Sequence, residues 1–262
     1  MARIATTVLH PSGDVAEITA LSALPGSFVL SIGDVAQSHV WLNDPASLFY
    51  DYVRRIGTAI DCLRLPGQPV TAVHLGAGAL TLPRYVQATR PDSEQHVVEL
   101  EENLVAFVTD RLPLPAGTSL AVHPGDAAER VEALAPFLGG QADLVVSDLY
   151  RGITTPPHLT TTAFFRAAAR LLAPEGVLVI NVADDPGTPA LRAQLAQLAP
   201  VFDHVLVTGP STVLQDAEAG NAVIVASCTP RVLEWAPSLR AAGPHPGLVL
   251  SSAEGSVLAR LG

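Results

Sequence analysis

Four short stretches of this chain carry residues whose types and spacing suit binding chemistry. The first is Val73-His74-Leu75-Gly76-Ala77-Gly78-Ala79, an apolar run that enters a glycine turn ahead of a helix-compatible segment. The second, His96-Val97-Val98-Glu99-Leu100, follows about 20 residues later and closes an apolar run with a carboxylate. Glycines let the backbone approach a ligand closely, and an acid so placed accepts hydrogen bonds from the two hydroxyls of a ribose. The pair therefore suits a nucleoside cradle; with no ligand it is a tight strand-to-helix turn followed by a surface glutamate. The third stretch is Gly125-Asp126-Ala127. Asp126 can accept a hydrogen bond from an adenine amino group while Ala127 leaves room for the ring. It is equally good as a helix N-cap, and the two roles are compatible. The fourth is Asp148-Leu149-Tyr150-Arg151, where Asp148 reads either as a turn carboxylate or, at the centre of a sheet, as a site residue.

The surrounding pattern supplies elements to position these stretches. From Val70 onward, strands alternate with helices. Strands are expected at Val70–Leu75, Gln95–Glu99, Ser119–His123, Asp143–Asp148 and Gly176–Val182. Helices are expected at Leu80–Thr89, Glu101–Arg111, Asp126–Leu138, Thr161–Leu172 and Thr188–Leu198. His204–Val207 and Ala222–Ala226 read as a last, antiparallel pair separated by a polar loop. Such alternation gives a largely parallel sheet covered on both faces, with ligands beyond the C-terminal strand ends. The four stretches all fall at those ends. Upstream, Arg3–Leu9, Asp14–Leu21 and Ser27–Ile32 read as short strands joined by Pro-Gly turns, a small antiparallel β unit. A helix over Pro45–Leu63, capped by Asp44, connects the two. The expected division is a β domain over 1–45, a nucleoside-binding domain over 46–230 and a proline- and glycine-rich extension over 231–262.

Composition excludes several classes. The 262 residues are 48% hydrophobic and 15% charged, as in a packed globular protein. No apolar run approaches the roughly 18 residues of a membrane span, and no signal-peptide core is visible, so a cytoplasmic protein without membrane contact is expected. Net charge is −10, and every fixed cation is arginine. An acidic surface argues against nucleic acid as a partner and suits a cationic small molecule such as a polyamine. Cys62 and Cys228 lie far apart and are expected to be buried apolar residues rather than a disulfide or metal pair. No histidine pair has metal-ligand spacing, and no metal is expected.

These residues and their order resemble the spermidine/spermine synthase (aminopropyltransferase) family, most of all the divergent spermidine synthase-like proteins of actinobacteria. The match runs from about Ser31 to Ser227. It includes Asp34-Val35-Ala36-Gln37-Ser38-His39, Leu48–Ile56, Gly76–Arg84, Glu99, Gly125-Asp126-Ala127, Pro157-His158-Leu159-Thr160-Thr161 and Gly220–Ser227. The resemblance implies an α/β protein. Its methyltransferase-like Rossmann fold would have a mostly parallel seven-stranded sheet with an antiparallel last strand, preceded by a small N-terminal antiparallel β domain. It implies S-adenosylmethionine or its decarboxylated form as co-substrate. Gln37 would lie near that ligand, Gly76, Ala77, Gly78 and Leu100 around it, Glu99 on its ribose, and Asp126 with Ala127 near its adenine. Asp148 would serve both binding and catalysis, the latter with Tyr150. Tyr50, Tyr52, Arg151 and His158 are candidates for contact with an amine or polyamine substrate. A homodimer stays open as the assembly.

Two departures bear on activity. The family's glycine loop reads G-G-G-D-G-G, and here its aspartate position is Ala79. The family's strand-four motif reads D-S-S-D; Asp148 matches its first aspartate, whereas the second, the general base, falls at Arg151. These changes turn a doubly negative patch toward a positive one. An inward Arg151 would favour the carboxylated nucleoside through a bidentate pair, whereas an outward one is a solvated loop arginine. Three functions follow: an aminopropyl transferase, a methyltransferase on the same fold, and a non-catalytic nucleoside or polyamine sensor. Glu99, at a strand end facing a crevice, is expected to matter for the ligand and little for stability.

Overall fold

The structure, a computed structural model, describes residues 2–152, 154–215 and 218–257. Four strands, β1 (Ala2–Val8), β2 (Val15–Ala20), β3 (Ser27–Ile32) and β4 (Val35–Trp41), form an antiparallel sheet in chain order. The first three coincide closely with expectation. β4 was not anticipated, because Gln37, Ser38 and His39 interrupt its apolar alternation.

Helix α1 (Asp51–Leu63) starts later than Asp44 and Pro45 suggested. Residues 41–47 instead make turns, with the Asp44 N–H on Trp41 O and the Ser47 N–H on Asp44 O. Phe49 and Tyr50 then pack their rings against His39 in extended backbone. Tertiary contact has overridden the local helix-start signal.

A second sheet has the order β12-β10-β11-β9-β8-β5-β6-β7. It comprises β5 (Thr71–Leu75), β6 (Glu94–Glu99), β7 (Ser119–Pro124), β8 (Ala142–Ser147), β9 (Leu172–Asp184), β10 (His204–Pro210), β11 (Gly220–Ser227) and β12 (Gly247–Ser251). Strands β5 to β9 are mutually parallel, and β11 runs antiparallel between β9 and β10. The expected seven strands are thus joined by an eighth, β12, a five-residue run that flanking Pro244 and Pro246 hide in the sequence. The segment between β10 and β11 is not only polar loop, since Ser211–Leu214 makes one helical turn.

Helices α2 (Thr81–Thr89), α3 (Leu104–Arg111), α4 (Ala127–Leu138), α5 (Thr162–Ala169) and α6 (Pro189–Leu198) follow β5 to β9 in turn. Burial on both faces explains why β5 and β8 are almost continuously apolar. One core joins the sheet to α4, α5 and α6 through Val131, Phe165 and Leu195. A second joins it to α1 and α2 through Ile56, Ile60 and Val86. A third seats the N-terminal sheet on α3, with Ile18, Leu30 and Val40 against Leu104 and Val108. The chain order reverses between β5 and β8, and a crevice opens at that switch point. Of the cysteines, Cys62 is half-buried and Cys228 is exposed just past β11, which corrects the expectation that both are interior.

Candidate functional site

A cavity of about 740 Å³ occupies the crevice, within the size range of small-molecule sites. Its wall draws on Gly76, Ala77 and Gly78 after β5, Glu99 and Leu100 at the end of β6, and Asp126 and Ala127 after β7. Asp148, Tyr150 and Arg151 come from the segment after β8. Gln37 on β4, Tyr50 ahead of α1 and His158 complete the set drawn from the sequence.

The glycine turn is shaped by close approach. Gly76 has φ +94°, and a Cβ there would stand 2.4 Å from the Asp148 carbonyl oxygen. Gly78 has φ +48°, and its Cβ would stand 2.3 Å from Ser38 Oγ. Ser38 Oγ accepts the Ala79 N–H at 3.1 Å, so the N-terminal sheet caps the turn from above. Sequence reasoning missed Ser38, which has no motif of its own. Ala79 itself is buried.

Glu99 is more than a ribose acceptor in waiting. Its Oε2 accepts the Ala77 N–H at 2.8 Å and its Oε1 accepts the Glu101 N–H at 2.9 Å. Burial pushes its pKa up, while these backbone donors work in the opposite direction. Glu99 therefore ties the glycine turn to the segment after β6, a structural link that its position at a strand end did not reveal. That segment is a turn, not the start of α3, because it is strapped to the hairpin between β1 and β2. The Glu102 N–H donates to His10 O at 2.6 Å, and Asn103 Nδ2 to Val8 O at 2.8 Å. Pro11, Ser12 and Asp14 of the hairpin also line the cavity.

Asp126 caps α4, its Oδ1 accepting the Ala128 N–H at 2.9 Å, and its Oδ2 lies 2.8 Å from His158 Nε2. Burial raises its pKa, but the His158 side chain and the backbone donors outweigh this and hold it below the usual carboxylate range. His158 thus has a partner that its loop context did not reveal. Gln37 reaches across to Gly152 O at 3.4 Å.

Asp148 has the most constrained surroundings. Asn181 Nδ2 donates to its Oδ1 at 2.8 Å, and the Tyr52 hydroxyl also hydrogen-bonds to it. Burial raises the Asp148 pKa, against the pull of those two donors. Burial, and then Asp148, raise that of Tyr52. Tyr50 and Tyr52 present parallel rings with centroids 6.3 Å apart. The Tyr150 hydroxyl donates to Asn181 O at 2.9 Å and accepts the Ala183 N–H at 2.6 Å. Tyr150 is thereby committed to the β9 backbone, which suits a structural pin better than a proton carrier. Arg151 is exposed at the wall and makes no side-chain ion pair among the described residues. Asn181 was missed, although an amide inside the apolar run Val177-Leu178-Val179-Ile180-Asn181-Val182 is a readable anomaly. Burial disfavours charge on two histidines of the wall, lowering the pKa of His39 and taking that of His74 to about 4.

No family model matches the chain. A polyamine aminopropyltransferase of Neisseria meningitidis is 26% identical over 150 residues, 56% of this chain and 54% of that protein. The chain thus spans about half the length of the curated relative it matches. A probable spermidine synthase from Corynebacterium glutamicum superposes with a TM-score of 0.83 at 27% identity, covering 97% of this chain and 92% of the other. A spermidine synthase solved with the transition-state analogue AdoDATO gives 0.63 at 15% identity, covering 89% and 76%. Human methyltransferase-like protein 13, solved with SAH, gives 0.55 at 20% identity, covering 73% and 89%. Both of the latter share the fold. The methyltransferase-like Rossmann sheet with its small N-terminal β-sheet, and the sequence likeness that accompanies it, make this chain similar to the spermidine synthases.

Proposed function

We propose that the chain is a spermidine synthase-like transferase. In this reading it binds S-adenosylmethionine or its decarboxylated form and transfers the aminopropyl group of the latter to a small amine or polyamine. The observation that carries the proposal is the sharing of one cavity by Glu99 and Asp148. Glu99 ends β6 and Asp148 follows β8, on either side of β5, so roughly 10 Å of sheet separates them at ordinary strand spacing. Glu99 has lone pairs left for ribose hydroxyls, Leu100 and Ala127 offer apolar surface to a purine, and Asp126 offers an acceptor for its amino group. The volume and donor set fit such a nucleoside. When bound, the sulfonium supplies an electrophilic carbon and a good thioether leaving group.

The chain's own part is binding, orientation and proton handling. Tyr50 and Tyr52 provide ring faces for an ammonium. Asp148, half-buried with a raised pKa, accepts the proton that an incoming ammonium must lose before its nitrogen can attack. In this chain that task rests on Asp148 because Arg151 stands where the family has its base.

A methyltransferase is the second reading. It is favoured by Ala79, whose N–H is already taken by Ser38, and by the exposed cation of Arg151; together they leave the tail of the nucleoside fewer carboxylates to meet. The test incubates the protein with decarboxylated S-adenosylmethionine and putrescine and follows methylthioadenosine. Product that depends on both reactants supports aminopropyl transfer. No turnover above background rejects it, and tighter binding of S-adenosylmethionine in calorimetry then moves the weight to methyl transfer.

A further inference from the structure

Behind Asp148 runs a chain of side-chain amides that the reading above does not use. Asn181, on β9, is buried and gives its Nδ2 to Asp148 Oδ1 at 2.8 Å. Its own Oδ1 accepts Asn221 Nδ2, on β11, at 3.0 Å. The two asparagines are near neighbours across the β9–β11 pairing, where Asn221 registers with Ala183. The Asn181 backbone carbonyl is meanwhile held by the Tyr150 hydroxyl.

An asparagine amide can flip and exchange its donor and acceptor ends. Facing a carboxylate, the wrong orientation sets oxygen against oxygen with no proton between them. In the observed arrangement Asn221 donates to Asn181 Oδ1, which satisfies that oxygen and leaves Asn181 Nδ2 for Asp148. The polarity therefore runs one way, from Asn221 to Asn181 to Asp148. The other groups around Asp148 are Tyr52 on α1, Tyr150 on its own segment and Arg151 at the wall. Among the described residues, none of these is hydrogen-bonded to the Asn181 side-chain amide.

We propose that Asn221 and Asn181 are positioning residues that act in series to fix the carboxylate of Asp148 toward the cavity. The proposal rests on the transferase reading for its catalytic consequence, but not for its structural one. It accounts for a buried amide, Asn181, within the apolar run Val177–Val182 of β9, joined to the part-buried Asn221 near the start of β11.

The test uses two nearly isosteric, uncharged variants, Asn181→Leu and Asn221→Leu, in the full chain. The Asp148 carboxyl is titrated by carbon-13 NMR in each, with Asp148→Asn for assignment. Loss of a buried donor should move the Asp148 midpoint to higher pH, more in Asn181→Leu than in Asn221→Leu. With decarboxylated S-adenosylmethionine and an amine, kcat should fall about ten- to a hundredfold in Asn181→Leu, the value of a hydrogen bond to a charged group. The fall should be smaller in Asn221→Leu, with the KM for the nucleoside unchanged in both. The acid limb of the rate profile should move with the NMR midpoint. Should Asn181→Leu fail to fold, Asn221→Leu decides alone. An Asp148 midpoint and rate profile in Asn221→Leu equal to wild type overturn the relay. If the wild type turns over no amine, the transferase reading fails, and the titration still answers the structural question.

Discussion

The two halves of the cavity are built by different means. The half at β5 and β6 is made of backbone: two glycines with positive φ, the N–H groups of Ala77 and Glu101, and one carboxylate that ties them together. The half at β8 is made of side chains that arrive from α1, β9 and β11, namely Tyr52, Asn181 and Asn221, around a single half-buried acid. A backbone cradle is tied to local sequence and tolerates little. A side-chain cluster assembled from distant segments can exchange members. The two departures noted in the sequence fall one in each half, at Ala79 in the glycine turn and at Arg151 after β8. The comparison points to a recognition end built from backbone and a chemical end built from side chains.

Asp148→Asn should separate the halves most sharply. It removes the acid but keeps the shape, so transfer should fall by about a hundredfold or more, as for loss of a general base, while nucleoside affinity stays within a few-fold of wild type. An equal loss of affinity and rate would show that the halves are not distinct. Gly76→Ala should act on the other half through strain. Its Cβ would meet the Asp148 carbonyl oxygen at 2.4 Å from a backbone with φ +94°. The expected cost is on the order of 2 kcal/mol, read as a fall in Tm of roughly 4–8 °C.

The smallest effect is expected at Asp126. Asparagine caps a helix as well as aspartate does, so Asp126→Asn isolates the charge facing His158. The folded pKa of Asp126 is depressed. Its contribution is therefore present above the unfolded value of about 3.9 and is lost as pH falls through the lower folded value. Wild type should be more stable than Asp126→Asn at pH 7 by less than about 1 kcal/mol, since the His158 side chain is 55% exposed. Acid titration of stability should bring the two together below pH ~4. A difference that persists there would assign the effect to the cap instead.

The same division explains what the sequence made legible. The alternation of strands and helices, the glycine turn, Glu99 and the Asp126 cap are local patterns, and they read directly. β4 did not, because its polar residues serve the cavity and the glycine turn rather than a solvent face: Gln37 spans to Gly152, and Ser38 caps Ala79. The start of α1 was misplaced because Phe49 and Tyr50 gain more from packing on His39 than from another helical turn. Asn181 and Asn221 stand 40 residues apart and meet only through strand pairing, which no local spacing encodes. Tyr150 looked chemical from its neighbours, yet the β9 backbone engages its hydroxyl on both sides.

The central claim is that the backbone half recognises an adenosyl ribose through Glu99. Calorimetry of S-adenosylmethionine and its decarboxylated form against wild type and Glu99→Gln tests it most directly. Glutamine keeps the length of the side chain but loses the charge, and it offers an N–H where the carboxylate accepted one. Wild type should bind at least one of the two nucleosides, and Glu99→Gln should bind it about tenfold more weakly, a difference of about 1.4 kcal/mol. Binding by folded Glu99→Gln as tight as by wild type, or no binding of either nucleoside by wild type, would contradict the account.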